Sequence, residues 1–157
     1  MVVVSNTSPI HYLVLIEQIG LLPQLFQTVV IPQMVRDELS APEAPTAVQS
    51  WITHPPDWLK IHANPQTITT SLRGLDAGET TAILLAQSLK ADLLLLDDMK
   101  ARRAAKAQGF SITGTLGILA EAASLKIIDL PTVVKSLQTT SFWVSESMVQ
   151  HLLDRFT

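Results

Sequence analysis

The chain opens on three consecutive valines, Val2 to Val4, an apolar β-branched run without alternation, which predicts a short strand buried on both faces. Four polar residues come directly after it, Ser5, Asn6, Thr7 and Ser8. Ser8 before Pro9 reads as an N-cap with proline at the first helical position, so a helix is expected from about Pro9 to Gln18, stopped by Gly20. A short helix over Leu21 to Phe26 and a second strand over Thr28 to Ile31 come next. Pro32 then opens a helix that carries Met34, Val35, Glu38 and Leu39 at helical spacing.

From Ser40 to Thr70 the chain is rich in Pro and Thr, and His54-Pro55-Pro56 and Asn64-Pro65 are breaks. A helix over Ala44 to Thr53 and a short strand over Trp58 to His62 fit between them. Asp76-Ala77-Gly78-Glu79 has the spacing of a capping box and starts a largely buried helix from Ala77 to about Lys90. Leu93 to Leu96 predicts another strand buried on both faces, ending at Asp97-Asp98. An amphipathic helix to Gln108 comes after it, with Arg102, Arg103 and Lys106 on it. Gly109 stops that helix, Phe110 to Ile112 is a short strand, and Thr113-Gly114-Thr115 turns into a helix to Ser124. Helices over about Pro131 to Thr139 and Ser145 to Phe156 complete the chain.

Apolar strands alternating with helices predict an α/β fold of three layers, α/β/α, with a central parallel sheet of four to five strands. All 157 residues are expected to form one domain, since 47% are hydrophobic and no linker or repeat interrupts them. The longest apolar runs are broken by Gln87, Lys90 and Asp92, well short of the roughly 20 residues of a spanning helix. The N-terminus lacks the pattern of a signal peptide, so no membrane partner and a cytoplasmic location are expected. The absence of Cys excludes disulfides, thiolate nucleophiles and Cys-based metal sites. A formal charge of −3 argues against binding a polyanion through surface charge alone.

Ligands of a parallel sheet bind beyond the carboxyl ends of its strands. Ser5 to Ser8, Asp97 with Asp98, and Thr113 to Thr115 all come after strands, and their amide, carboxylate and hydroxyl oxygens suit a hard cation such as Mg²⁺ or Mn²⁺. Glu79 stands at the end of an inward helical stripe, and Glu38 has a similar place beside Val35 and Leu39. Each residue also has a purely structural reading. Glu79 completes a capping box, Asp97 and Asp98 suit a helix N-terminus, Ser5 to Ser8 cap the first helix, and Glu38 beside Asp37 fits a solvated face. Their joint placement is what points to a site. His11, His54, His62 and His151 have no zinc spacing, and no nucleophile elbow or glycine-rich phosphate loop occurs. Trp51 and Trp58 read as packing residues.

Five segments in order, VVVSNTSPI, VIPQMVRDEL, LDAGETTAILLA, LLLLDD followed by Arg102, and ITGTLGILAEA, resemble the PIN domain, in particular the compact subgroup of VapC-type toxins. The resemblance implies a metal-dependent endoribonuclease with Mg²⁺ or Mn²⁺ as cofactor. By position, the family's four acidic residues fall on Asn6, Glu38, Glu79 and Asp98, with Asp97 adjacent. The catalytic set would be Glu38, Glu79 and Asp98, and the metal set Asn6, Glu79, Asp97 and Asp98. Thr7, Ser8, Arg102, Thr113 and Thr115 would support substrate phosphate. Implied partners are RNA, a cognate antitoxin protein and a second copy of the chain in a homodimer. Asn6 departs from the usual Asp. An amide oxygen still ligates a hard cation but carries no charge, so weaker metal affinity is expected. That departure opens a second expectation, a degenerate PIN domain that binds RNA or a protein without hydrolysis. A third, from another class, is a receiver-like phosphoacceptor, which expects an acidic pair after the first strand where this chain has Asn6.

Overall fold

The computed structural model describes residues 1–65 and 74–156. Among the described residues, five strands form one all-parallel sheet in the order β3-β2-β1-β4-β5. They are β1 (Val3–Ser5), β2 (Val29–Pro32), β3 (Leu59–His62), β4 (Leu93–Leu95) and β5 (Ile112–Thr113). The register sets Val4 beside Val30, and Val3, Val4 and Ser5 beside Leu93, Leu94 and Leu95.

Alternation of side chains along each strand divides the interior in two. Val3, Ile31 and Leu95 enter one apolar cluster, while Val4, Val30 and Leu94 enter the other. The second cluster is covered by α5 (Ala77–Leu89) and α6 (Met99–Ala107), through Ala82 to Ala86 and through Ala101 and Ala105. The larger cluster takes residues from α1 (Thr7–Leu15), α2 (Leu21–Phe26), α3 (Gln33–Leu39) and α4 (Thr46–Thr53). It is completed by α7 (Thr115–Ser124), α8 (Leu130–Gln138) and α9 (Glu146–Asp154). Burial on both faces explains the unbroken apolar strands, and the expected three layers are present. The C-terminal segment closes the core, with Val149 and Leu152 buried in the larger cluster and Leu153 and Phe156 packed against it.

Several boundaries shift from the sequence-based expectation, and three of the shifts have a visible cause. The first helix begins at Thr7, not Pro9, so Asn6 and not Ser8 stands at the N-cap, and its side chain makes no cap bond. The Ser8 hydroxyl instead donates to Asp97. That helix also ends before Gln18, because Glu17 takes a left-handed φ of 59°. The last strand lies at Ile112–Thr113 rather than Phe110 to Ile112, since the Gly109 turn carries Phe110 past the helix end before pairing begins at Leu94 and Leu95. The final part of the Pro- and Thr-rich stretch, residues 66–70, lies outside the described residues. Among the described residues no helix is long and apolar enough to cross a membrane.

Candidate functional site

The chain lays down β1, β2 and β3 outward in one direction, then returns to place β4 on the other side of β1. The join between β1 and β4 is therefore a switch point, where an open parallel sheet leaves a crevice beyond its carboxyl ends. The Asn6 amide donates to the Leu95 carbonyl across that join at 3.0 Å. The polar segments at the ends of β1 and β4 are thereby held close together.

A cleft of about 510 Å³ opens there, lined by Asn6, Thr7 and Ser8 from the start of α1, and by Glu38, Asp76, Glu79, Asp97 and Asp98. Its far wall is made by His11, Tyr12 and the Ser141–Trp143 segment between α8 and α9. All four positions carrying the acidic pattern, Asn6, Glu38, Glu79 and Asp98, thus face one space although more than 90 residues separate the first from the last.

Each carboxylate is fixed to the scaffold. Glu38 accepts the Thr7 hydroxyl at 2.7 Å. Glu79 closes a reciprocal capping box, accepting from the Asp76 amide at 3.0 Å while Asp76 accepts from the Glu79 amide at 2.7 Å. Asp98 caps α6 by accepting from the Ala101 amide at 3.0 Å. In all three, the hydrogen bonds among the described residues engage one carboxylate oxygen and leave the other for the cleft.

Asp97 differs, because both its oxygens are taken. One accepts the Thr115 amide at 2.7 Å, and the other accepts the hydroxyls of Ser8 at 2.6 Å and Thr115 at 2.7 Å. The cap residue of α7 is Gly114, which has no side chain to close the helix, so Asp97 supplies the acceptor from the end of the neighbouring strand. A Cβ on Gly114 would stand 2.6 Å from Asp97 and 2.7 Å from Arg102, so glycine permits this approach. Thr115 is buried beneath the pair. Arg102 donates to the Leu96 carbonyl at 2.9 Å and lies, with Thr113, on a neighbouring slot beside the cleft.

The electrostatics are those of crowded acids. Burial raises the Glu79 pKa above the ordinary carboxylate value, and the charges of Asp76, Asp98 and Glu38 raise it further against the opposing Asp76 amide bond. Burial likewise raises Glu38, with Asp76 adding to it and the Thr7 hydrogen bond opposing it. Burial lowers the His11 pKa, which favours the neutral imidazole at the cleft wall. Asn6 is 7% exposed and its side-chain oxygen is buried with no hydrogen-bond partner. A buried acceptor left so costs about 1–3 kcal/mol, so an orphan beside carboxylates fits a cation or the water it carries.

The donor set is all oxygen, as Mg²⁺ and Mn²⁺ prefer. Among the described residues no three His, Asp or Glu side chains stand close enough together to hold one ion as they are placed. Glu79 and Asp98 each also cap their own helix N-terminus.

Sequence reasoning missed Asp76, His11, Tyr12, Ser141, Phe142 and Trp143 as cleft residues. His11 and Tyr12 lie one helical turn after Thr7 and Ser8, a spacing that brings them to the same face. Asp76 was visible only as a cap. Nothing in the sequence pattern places Phe142 and Trp143 there; a tertiary contact does, with Tyr12 stacked edge-on against Phe142 at 5.0 Å and bonded to Ser141 at 2.9 Å.

A three-layer domain with an acidic cleft at a β1/β4 switch point belongs to the class of α/β folds that gather carboxylates at strand ends. A family model described as a PIN domain matches residues 2–157, and the chain belongs to that family. No curated protein and no solved structure gives a match.

Proposed function

We propose that this PIN domain is a Mg²⁺- or Mn²⁺-dependent endoribonuclease acting as the toxin of a toxin–antitoxin pair, bound by an inhibitory protein and working as a homodimer. The observation that supports it most is that Asn6, whose side-chain oxygen is buried without a partner, lines one cleft with Glu38, Glu79 and Asp98. Asn6, Glu79 and Asp98 would hold the ion, with Asp97 organising the floor beneath them. A bound ion of this kind supplies Lewis-acid activation of water and neutralises charge building on the phosphate.

The chain's own residues do the rest. Burial raises the Glu38 pKa above the ordinary carboxylate value, and this carboxylate, outside the set that would hold the ion, is the one suited to accept a proton from water at the phosphate. Thr7 holds Glu38 in orientation, and Ser8 and Thr115 lock Asp97. Arg102 and Thr113, on the adjoining slot, offer donors to the phosphate backbone of the strand.

The test is cleavage of a quenched fluorescent RNA by the purified chain with Mg²⁺, Mn²⁺ or EDTA, beside Glu38→Gln, Glu79→Gln and Asp98→Asn. Metal-dependent cutting that falls by about a hundredfold or more in each variant is expected. No cutting with either metal overturns the proposal. One observation favours a second reading, since the uncharged Asn6 leaves the centre one negative charge short. In that reading the domain binds RNA or a protein without hydrolysis, and Asn6→Asp alone would produce cutting.

A further inference from the structure

Beside the acidic cleft lies a second, more apolar slot of about 420 Å³, and Asp97, Asp98, Phe142 and Trp143 line both. Among the described residues, three of the six exposed large hydrophobic side chains stand around this slot, Met99, Trp143 and Met148. Trp143 is 84% exposed. An indole held in water at the rim of an anionic centre is costly to leave uncovered and is poorly explained by packing. The other two tryptophans behave differently, since Trp51 and Trp58 pack on each other at 5.9 Å against the core.

Resting on the ribonuclease reading, we infer that the Trp143 slot takes an unpaired base of the substrate strand, with the indole as its stacking platform. Three features select this occupant. The slot is continuous with the carboxylate cleft, so a strand with its phosphate over Asp98 has a neighbouring base within reach of Trp143. The guanidinium of Arg102 is held in the slot wall by the Leu96 carbonyl, which places a cation beside the path of the backbone. Met99 and Met148 are unbranched and adaptable, suited to close on the edge of a flat ring without choosing among bases. Stacking on an aromatic face is tolerant of sequence, because every base has a π-face. The slot thereby selects single strands over duplexes, whose bases are already stacked.

The test uses the full chain with Ca²⁺ in place of the cutting metal, a labelled oligoadenylate, and Trp143→Ala and Trp143→Phe. Trp143→Ala is expected to weaken binding by about five- to a hundredfold, and Trp143→Phe to retain most of it. An abasic nucleotide scanned along the strand should reproduce the loss at one position in the wild type and add nothing in Trp143→Ala. The indole fluorescence change on binding should vanish in both variants. Equal affinity of wild type and Trp143→Ala overturns the inference while leaving ribonuclease activity standing. So does a Trp143→Ala that changes the sedimentation of the protein from dimer to monomer without changing RNA affinity, which makes the slot a face between copies. A wild type that neither binds nor cuts RNA sinks the ribonuclease reading and this inference with it. A strand that stacks on Trp143 but is not cut sustains the inference and overturns only the hydrolysis.

Discussion

Single atoms set the character of this cleft, and the Asn6 side-chain oxygen is the most telling of them. It is buried and without a partner, on a residue that lines the cleft together with Glu38, Glu79 and Asp98. Asn6→Asp keeps the shape and adds a charge. Without metal the new carboxylate meets like charges, so the melting temperature is expected to fall. With Mn²⁺ the same charge attracts, and calorimetry should show affinity raised by about tenfold or more. An unchanged Mn²⁺ affinity would mean that Asn6 does not face the ion.

The raised Glu38 and Glu79 pKa values make a second residue-scale prediction. A carboxylate whose pKa is higher folded than unfolded binds more protons in the native state between those two values. In that window stability falls as pH rises, the reverse of an ion-paired acid. The metal-free protein should therefore lose stability on going from the ordinary glutamate range toward neutrality, and Glu79→Gln should flatten that slope. Divalent metal competes with the same protons, so its affinity should climb through this window. Thermal melts across pH, with and without Mn²⁺, check both signs.

Helix starts do most of the positioning at the scale of elements. Thr7 and Ser8 open α1, Asp76 and Glu79 open α5, Asp98 opens α6, and Asp97 closes the start of α7. Asp76 apart, which reads only as a cap, these are the residues for which the chain offers two readings, cap or ligand, and the structure gives the caps a place on the cleft as well. The capping box at Asp76 and Glu79 was legible, and so, to within a residue at either end, were the strands read at Leu93 to Leu96 and Thr28 to Ile31, because they are local patterns. The beginning of α1 was not, because Ser8 had a local reason to cap and a stronger distant partner in Asp97. The same logic separates two neighbouring aspartates. Asp97→Ala removes three hydrogen bonds and the side-chain acceptor at the start of α7, so it should destabilise the fold by about 2 kcal/mol. Asp98→Asn keeps a capping oxygen and should cost little stability while weakening Mn²⁺ binding. Parallel denaturation and metal titration distinguish them, and equal effects of the two on metal would place Asp97 among the ligands despite its bonds. Gly78 gives another handle, since a Cβ there would strike the Glu38 carboxylate where α3 and α5 meet. Gly78→Ala should displace Glu38 and lower cleavage with little change in melting temperature.

For the whole molecule, the order of the strands explains why residues far apart in the chain share one cleft. The alternation of strands and helices announced a parallel sheet, but nothing in that pattern says that β4 returns beside β1 rather than beside β3. The resemblance to PIN domains supplied that convergence, and the aromatic wall at Phe142 and Trp143 was hidden because α8 and α9 carry no signal of where their connection crosses the sheet. Charge at this scale leads to a last prediction. The chain is net −3 with 11 basic residues, and only Lys100, Arg102, Arg103 and Lys106 gather on one element, α6, next to the cleft. A single strand gains about 0.7 in salt slope for each phosphate neutralised, so four contacts allow a slope of about −3 at most. RNA affinity measured against salt at fixed Ca²⁺ should show that shallow dependence, with stacking and the metal carrying the remainder. Arg102→Ala should reduce the slope by about 0.7 and leave the fluorescence change of Trp143 in place. A slope of twice that size would place the strand on cations away from α6, and the path from Asp98 to Trp143 would have to be redrawn.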